Sequence, residues 1–270
     1  MAALEPRFRE EHVAIIGSFI RHHVAESGAR GIVLGMSGGV DSSLVATLCV
    51  GSVGPEKVVG VWAGEGPAKG PDVRDAEDVA KSLGIELRKY DIAPFVDTFQ
   101  RSVKMKKGNR TALGNVKARA RMVLLYSIAN TEGRVVMGTG NKSELAVGYF
   151  TKFGDGGADF LPIGDLYKTQ VREMASFLGV PKRIVEKIPT AGLWKGQTDE
   201  GELGIRYADL DRVLLGIEIH LTPEEIAAQT AVSIRKVRHV EDLVARSVHK
   251  RKPPLIPKVG IRTFGLDWRE

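Results

Sequence analysis

The stretch "LGMSGGVDSSL", residues 34–44, sets three glycines and three serines around one aspartate, directly after the apolar run Gly31-Ile32-Val33-Leu34. Gly38 and Gly39 let the backbone bend and come close to an anion, while Ser37, Ser42 and Ser43 add hydroxyl donors beside the free amides of a following helix. Such a nest suits phosphate. The P-loop pattern G-x-x-x-x-G-K-[ST] does not apply, because Val40 and Asp41 stand where that loop needs its Lys. A carboxylate facing phosphate is repulsive unless a cation lies between them, so Asp41 points to Mg2+, which takes carboxylate and phosphate oxygens together. The bland alternative is a Gly/Ser-rich turn with Asp41 as a helix N-cap, and it loses weight because two serines follow at fixed spacing.

A strand must deliver that loop and a helix must receive it. Short β-branched runs predict strands at Ile32–Met36, Val58–Ala63, Glu86–Ile92, Arg134–Gly138 and Asp159–Ile163, with segments of helical period between them. This alternation predicts an α/β fold, a parallel five-stranded sheet with helices on both faces. After residue 163 helical segments dominate, giving a helical C-terminal part, and residues 189–207, rich in glycine and charge, read as a mobile loop. With no repeat and no second core in the pattern, residues 1–270 are expected to form a single domain.

Composition narrows the partners. Lys and Arg exceed Asp and Glu by 39 to 33, so the surface attracts anions without choosing among nucleotides, nucleic acid and lipid. The single cysteine, Cys49, lies in apolar "SLVATLCV" and reads as a buried structural thiol, not a nucleophile. No stretch approaches the ~20 apolar residues of a bilayer span, and the N-terminus has no apolar leader core. A cytoplasmic chain with no membrane partner is the expectation.

"SGGVDSS" resembles the signature loop of the ATP pyrophosphatases, which cleave ATP between its α and β phosphates. The rest of the chain resembles NAD synthetase in order and spacing: "GNVKARARM" (114–122), "GTGNKSE" (138–144), "YFTKFGDGGAD" (149–159), "LYKTQV" (166–171), "AGLWKGQTDEGELG" (191–204) and "HKRKPP" (249–254). "GTGNKSE" departs from the "GTDHAAE" of some bacterial members and is closer to the archaeal form.

The resemblance implies an adenine nucleotide alpha hydrolase-like fold and the ammonia-dependent conversion of deamido-NAD to NAD, with ATP giving AMP and pyrophosphate. It implies that Gly35, Met36, Ser37, Gly38, Gly39, Val40, Asp41, Ser42, Thr139, Lys168 and Thr190 bind ATP, and that Arg119, Lys152, Asp159, His249 and Lys250 bind the dinucleotide. Glu144, in the first turn of a helix at another strand's carboxyl end, is the expected second Mg2+ ligand beside Asp41; an acidic residue favoured at a helix N-terminus is the alternative. Lys168 is expected to counter the charge that builds on the triphosphate.

A carboxylate does not react with ammonia until it is activated, here as an acyl adenylate. Asp155, in "FGDGG", is the candidate group that holds ammonium and accepts its proton; as an Asp-Gly pair it could also simply shape a turn. The loop 190–204 is a candidate lid that keeps water from the adenylate.

Two rivals remain open at this point. A tRNA-modifying ATP pyrophosphatase suits the basic charge, but Cys49 alone does not supply thiolation chemistry, no RNA-binding appendage is visible, and no nucleic-acid partner is expected. A non-enzymatic nucleotide sensor would bind ATP without turnover. Since no linked glutaminase is expected, free ammonia or a separate donor subunit supplies the nitrogen, and the family implies a homodimer.

Overall fold

The computed structural model describes residues 4–106, 108–194 and 196–262. The chain runs through α1 (Glu11–Glu26), β1 (Gly31–Gly35), α2 (Val40–Val53), β2 (Val58–Gly64), α3 (Pro71–Leu83), β3 (Glu86–Asp91), α4 (Ala93–Ser102), α5 (Arg110–Glu132) and β4 (Arg134–Met137). Helices alone follow: α6 (Lys142–Val147), α7 (Lys168–Phe177), α8 (Lys182–Val185), α9 (Asp199–Leu203), α10 (Tyr207–Glu218), α11 (Pro223–Thr230) and α12 (Ile234–Arg251).

Alternation along the central strands decides which helices cover which face, since successive side chains of a strand point to opposite sides. Ile32 and Leu34 of β1 and Val135 and Met137 of β4 join α1, α2, α3 and α7 in one apolar cluster. Val33, Val59, Val61 and Val136 turn the other way and pack on Ile128 and Ala129 of α5. All pairs are parallel, in the order β3-β2-β1-β4, with Ile32 level with Val58 on one side and Val135 on the other. Order reverses beside β1, so a crevice opens between the carboxyl ends of β1 and β4, where open parallel sheets bind ligands.

The expected fifth strand is absent: among the described residues the sheet has four strands, and Asp159–Ile163 contributes one isolated bridge, Met137 to Phe160. The reason is local. The Val136 amide donates to the Asp159 side chain, Oδ2, at 2.7 Å, so a carboxylate takes the place of a backbone acceptor at that rung. Two residues beyond the bridge, Pro162 has no N–H to continue a ladder.

A second apolar cluster gathers Val147, Tyr167, Leu203, Ile205 and the inner faces of α10, α11 and α12, so the helical part has packing of its own. Cys49 is fully buried, and burial pushes its thiol up, which suits a packing role. No helix among the described residues is long and apolar enough to cross a membrane.

A polar cluster ties α3 to α8 and the residues just after it. The buried Asp75 accepts from Arg183 Nε at 2.9 Å and Lys187 Nζ at 2.8 Å. Burial alone would raise its carboxyl, but the hydrogen bonds and charges of Lys187 and Arg183 hold it below the usual aspartate range. A depressed folded-state pKa contributes stability that is present above the unfolded value of about 4 and is lost as the pH falls through the folded one. Asp75→Asn should therefore flatten the acid limb of stability measured by urea unfolding below about pH 4. A limb identical to that of the parent chain would remove Asp75 from the linkage.

Candidate active site

At the end of β1 the chain turns sharply. Gly38 sits at φ +76°, and a Cβ built there would meet the Asp72 carbonyl oxygen at 2.1 Å, so only glycine passes this point. Lys187 holds the turn from outside, donating to the Gly38 carbonyl at 3.2 Å while pairing with Asp72 at 2.6 Å. Ser37 and Ser42 fold the loop on itself, with their hydroxyls 3.1 Å apart and the Ser37 amide donating to Ser42 Oγ at 3.2 Å. Neither Ser42 nor Ser43 is a free donor, because both hydroxyls donate to the Gly39 carbonyl, at 3.1 and 2.8 Å. Val40, Asp41 and Ser42 open α2, so their amides have no carbonyl within the helix to meet. Gly35 and Met36 lead into this turn from the strand.

Across the crevice β4 ends, and Thr139, half-buried, leads to the start of α6. Asn141 caps this helix by accepting from the Glu144 amide at 3.0 Å, and Glu144 reaches back to the Asn141 amide at 3.3 Å. Asn141 also donates to Asp41 Oδ1 at 2.9 Å, joining the two sides of the crevice. Lys168 opens α7 and lies between the two carboxylates, with Nζ 2.5 Å from Asp41 Oδ2 and 3.2 Å from Glu144 Oε1. A lysine in the first turn of a helix opposes the helix dipole, and these carboxylates offset it. The turn is fixed from behind: the Lys168 amide donates to Ser143 Oγ at 2.9 Å and the Thr169 amide to Asp211 Oδ2 at 2.8 Å.

Burial pushes the Glu144 carboxyl up, with Lys168 opposing and Asp41 and Asp199 adding to the rise. Burial would lower Lys168, but Asp41 and Glu144 overcome it and the ammonium is held above its usual range. Three carboxylates, Asp41, Glu144 and Asp199, act on this one ammonium. Asp199 Oδ1 is buried without a hydrogen-bond partner. An excess of negative charge, hard oxygen donors and an orphaned carboxylate oxygen fit a divalent cation such as Mg2+, with Asp41 and Glu144 as its holders.

A second cluster lies around the turn after α6. Arg119 of α5 donates to the Lys152 carbonyl at 3.2 Å, Lys152 Nζ to the His249 carbonyl at 2.7 Å, and Lys250 Nζ to the Gly148 and Phe150 carbonyls at 2.6 and 2.7 Å. Asp155 belongs here, accepting from the Thr151 amide at 2.9 Å, with the charges of Arg121 and Lys250 acting on it. Two expected site residues make hydrogen bonds that belong to neither cluster. Both oxygens of Asp159 are engaged, by Tyr126 and the Val136 amide. Thr190 is exposed and accepts from the Gly192 amide at 3.1 Å.

Residues 190–194 and 196–204 carry local contacts. Thr198 caps α9 by accepting from the Gly201 amide, and Leu193 and Trp194 lie against Gly114 of α5. Lys117 fastens it, donating to the Leu193 carbonyl at 2.8 Å and pairing with Glu65 at 2.7 Å. Sequence reasoning missed Asn141, Asp199, Tyr207 and Lys117. Only Asn141 left a readable signal, the cap spacing N-x-x-E in "NKSE".

The sequence model of the NAD synthase family matches residues 12–254. The chain belongs to this family. It is 50% identical over 251 residues to an "NH(3)-dependent NAD(+) synthetase" of Archaeoglobus fulgidus, covering 93% of this chain and 97% of the relative. Among solved structures, an NMN synthetase from Francisella tularensis aligns with a TM-score of 0.82 at 35% identity, over 93% of this chain and all 100% of its own. An NH3-dependent NAD synthetase from Campylobacter jejuni, in complex with the nitrate ion, aligns with a TM-score of 0.78 at 28% identity, over 92% and 98% of the two chains. Within the NAD synthase family this chain thus sides with an archaeal relative, as the wording of "GTGNKSE" suggested.

The turn at Gly38 offers a direct check. Gly38→Ala must move the Asp72 backbone or abandon its φ, and should cost about 2 kcal/mol or more in denaturant unfolding. Unfolding unchanged from the parent would mean that the turn is not held as described.

Proposed function

We propose that this chain makes NAD by amidating deamido-NAD with ammonia, driven by cleavage of ATP to AMP and pyrophosphate. The reading is supported by the family match and by the Asp41–Lys168–Glu144 cluster at the carboxyl ends of β1 and β4, where a triphosphate would meet the free amides of α2. Residues 1–270 act as one unit, in the cytoplasm, and pair as a homodimer; support for pairing is Val123, 47% exposed on the apolar stripe of α5.

In the first step a carboxylate oxygen of the nicotinate ring bonds to the α-phosphorus while the bond from that phosphorus to the bridging oxygen breaks. Pyrophosphate departs with that oxygen into the nest of Ser37, Gly38, Gly39, Val40 and Ser42, reached from Gly35 and Met36. Thr139 and Thr190 add contacts to ATP. Mg2+, when bound, screens the meeting of two anions. Lys168 stabilises the leaving charge from its place between Asp41 and Glu144.

In the second step ammonia attacks the acyl carbon and the bond to the adenylate oxygen breaks, releasing AMP. Asp155 takes the proton that the nitrogen sheds. Arg119, Lys152, Asp159, His249 and Lys250 hold the dinucleotide, and the seated segment 190–204 keeps water from the acyl adenylate.

The test is one coupled assay of deamido-NAD, ATP, Mg2+ and ammonium, with parallel tubes holding glutamine or, because an NMN synthetase aligns at 35% identity, the mononucleotide counterpart of the substrate. NAD and AMP should appear in equal amounts with ammonium and deamido-NAD; ADP as product, or turnover only with the mononucleotide, would refute the assignment. Asp155→Asn should keep pyrophosphate release that depends on deamido-NAD and lose amide formation by about 100-fold. Equal loss in both half-reactions would reduce Asp155 to the turn that it caps at Thr151.

A further inference from the structure

Asp199 is 4% exposed, yet its Oδ1 has no hydrogen-bond partner. Buried carboxylate oxygens are nearly always partnered, so an orphan beside a reaction centre calls for a role. The neighbouring Tyr149 hydroxyl does not supply the bond, because it gives its proton to Glu202 Oε2 at 2.5 Å. Asp199 Oδ2 accepts from the Tyr207 hydroxyl at 3.2 Å. Over the face of that same ring stands the Lys168 ammonium, 5.2 Å from the centroid. One aromatic ring therefore separates an anion pinned at its edge from a cation on its face.

Lys168 spends its hydrogen bonds on Asp41 and Glu144. To serve phosphate oxygens it must loosen them, just when both carboxylates are claimed by a metal ion. An ammonium on a residue only 2% exposed then needs another counter-charge. A carboxylate in direct contact would compete with phosphate for the same N–H donors. One held a ring's width away supplies the field and leaves the donors free.

We propose that Asp199 is a positioning residue for adenylate formation: pinned by Tyr207, it holds the Lys168 ammonium in place while Asp41 and Glu144 turn to Mg2+. This rests on the function proposed above and deepens it. Asp199 opens α9, and its amide donates to the Pro189 carbonyl at 3.1 Å, while Lys117 donates to the Leu193 carbonyl in the same stretch of chain.

Asp199→Asn keeps the shape and the acceptor for Tyr207 and removes only the charge. The kcat for deamido-NAD-dependent pyrophosphate release should fall by about tenfold or more, with the KM for ATP changing less than about threefold. The melting temperature should hold or rise, because a buried charge with an orphaned oxygen is gone. Tyr207→Phe, which keeps the charge and unpins it, should lose less. A wild-type kcat in Asp199→Asn, or a rate that falls only in step with the melting temperature, overturns the role. Should the parent chain release no pyrophosphate with deamido-NAD, the proposed function falls and this role with it; a parent that turns over beside an unaffected variant rejects the role alone.

Discussion

One buried ammonium organises this molecule. Lys168 sits between Asp41 and Glu144, carboxylates that arrive from the ends of two different strands, and Asp199 adds a third negative charge from the start of α9. Ion pairs taken out of water are weak sources of stability, since desolvation consumes most of the attraction. Their retention here has a different meaning. The elements around them hold an excess of negative charge that a proton on Glu144, whose carboxyl burial pushes up, or a cation relieves.

The neighbours of that ammonium make sense as parts of its mounting. Asn141 bridges the crevice to Asp41, and the Ser143–Asp211 pair, 2.5 Å apart, takes the first two amides of α7. Asp211 comes from α10, and Tyr207, one turn before it, presents its ring face to Lys168. The C-terminal helices are thus not an appendage on a nucleotide-binding sheet. Their apolar cluster carries the groups that aim α7 at the crevice.

What could be read from the sequence follows from what is local. The central strands announce themselves by β-branched residues, and the loop from Ser37 to Ser43 by glycines and hydroxyls that serve one purpose within seven letters. The fifth strand misled because its letters are apolar and extended; a side-chain carboxylate standing in for a backbone acceptor, as Asp159 does at Val136, has no signature in propensity. The pairing of Asp41 with Lys168 spans 127 residues, and no period or spacing reports such a contact. Asp199 lay hidden among the charges of "GQTDEGELG", where its burial is decided by Tyr207 and not by its neighbours in the chain.

The distance between the two polar clusters has a structural cause as well. Six residues of α6 begin at the Asn141–Glu144 cap, beside Asp41, and end at Gly148, whose carbonyl receives Lys250. At 1.5 Å per residue that helix is a spacer of about 9 Å between the Asp41–Lys168–Glu144 cluster and the cluster of Arg119, Lys152 and Lys250. Its first turn is locked by the reciprocal cap and its last by Gly148 in the left-handed region, with Arg251 donating to the Leu145 and Ala146 carbonyls. A helix fixed at both ends does not stretch. The Asp41–Lys168–Glu144 cluster and the cluster of Arg119, Lys152 and Lys250 are therefore held at a separation set by the length of one short element.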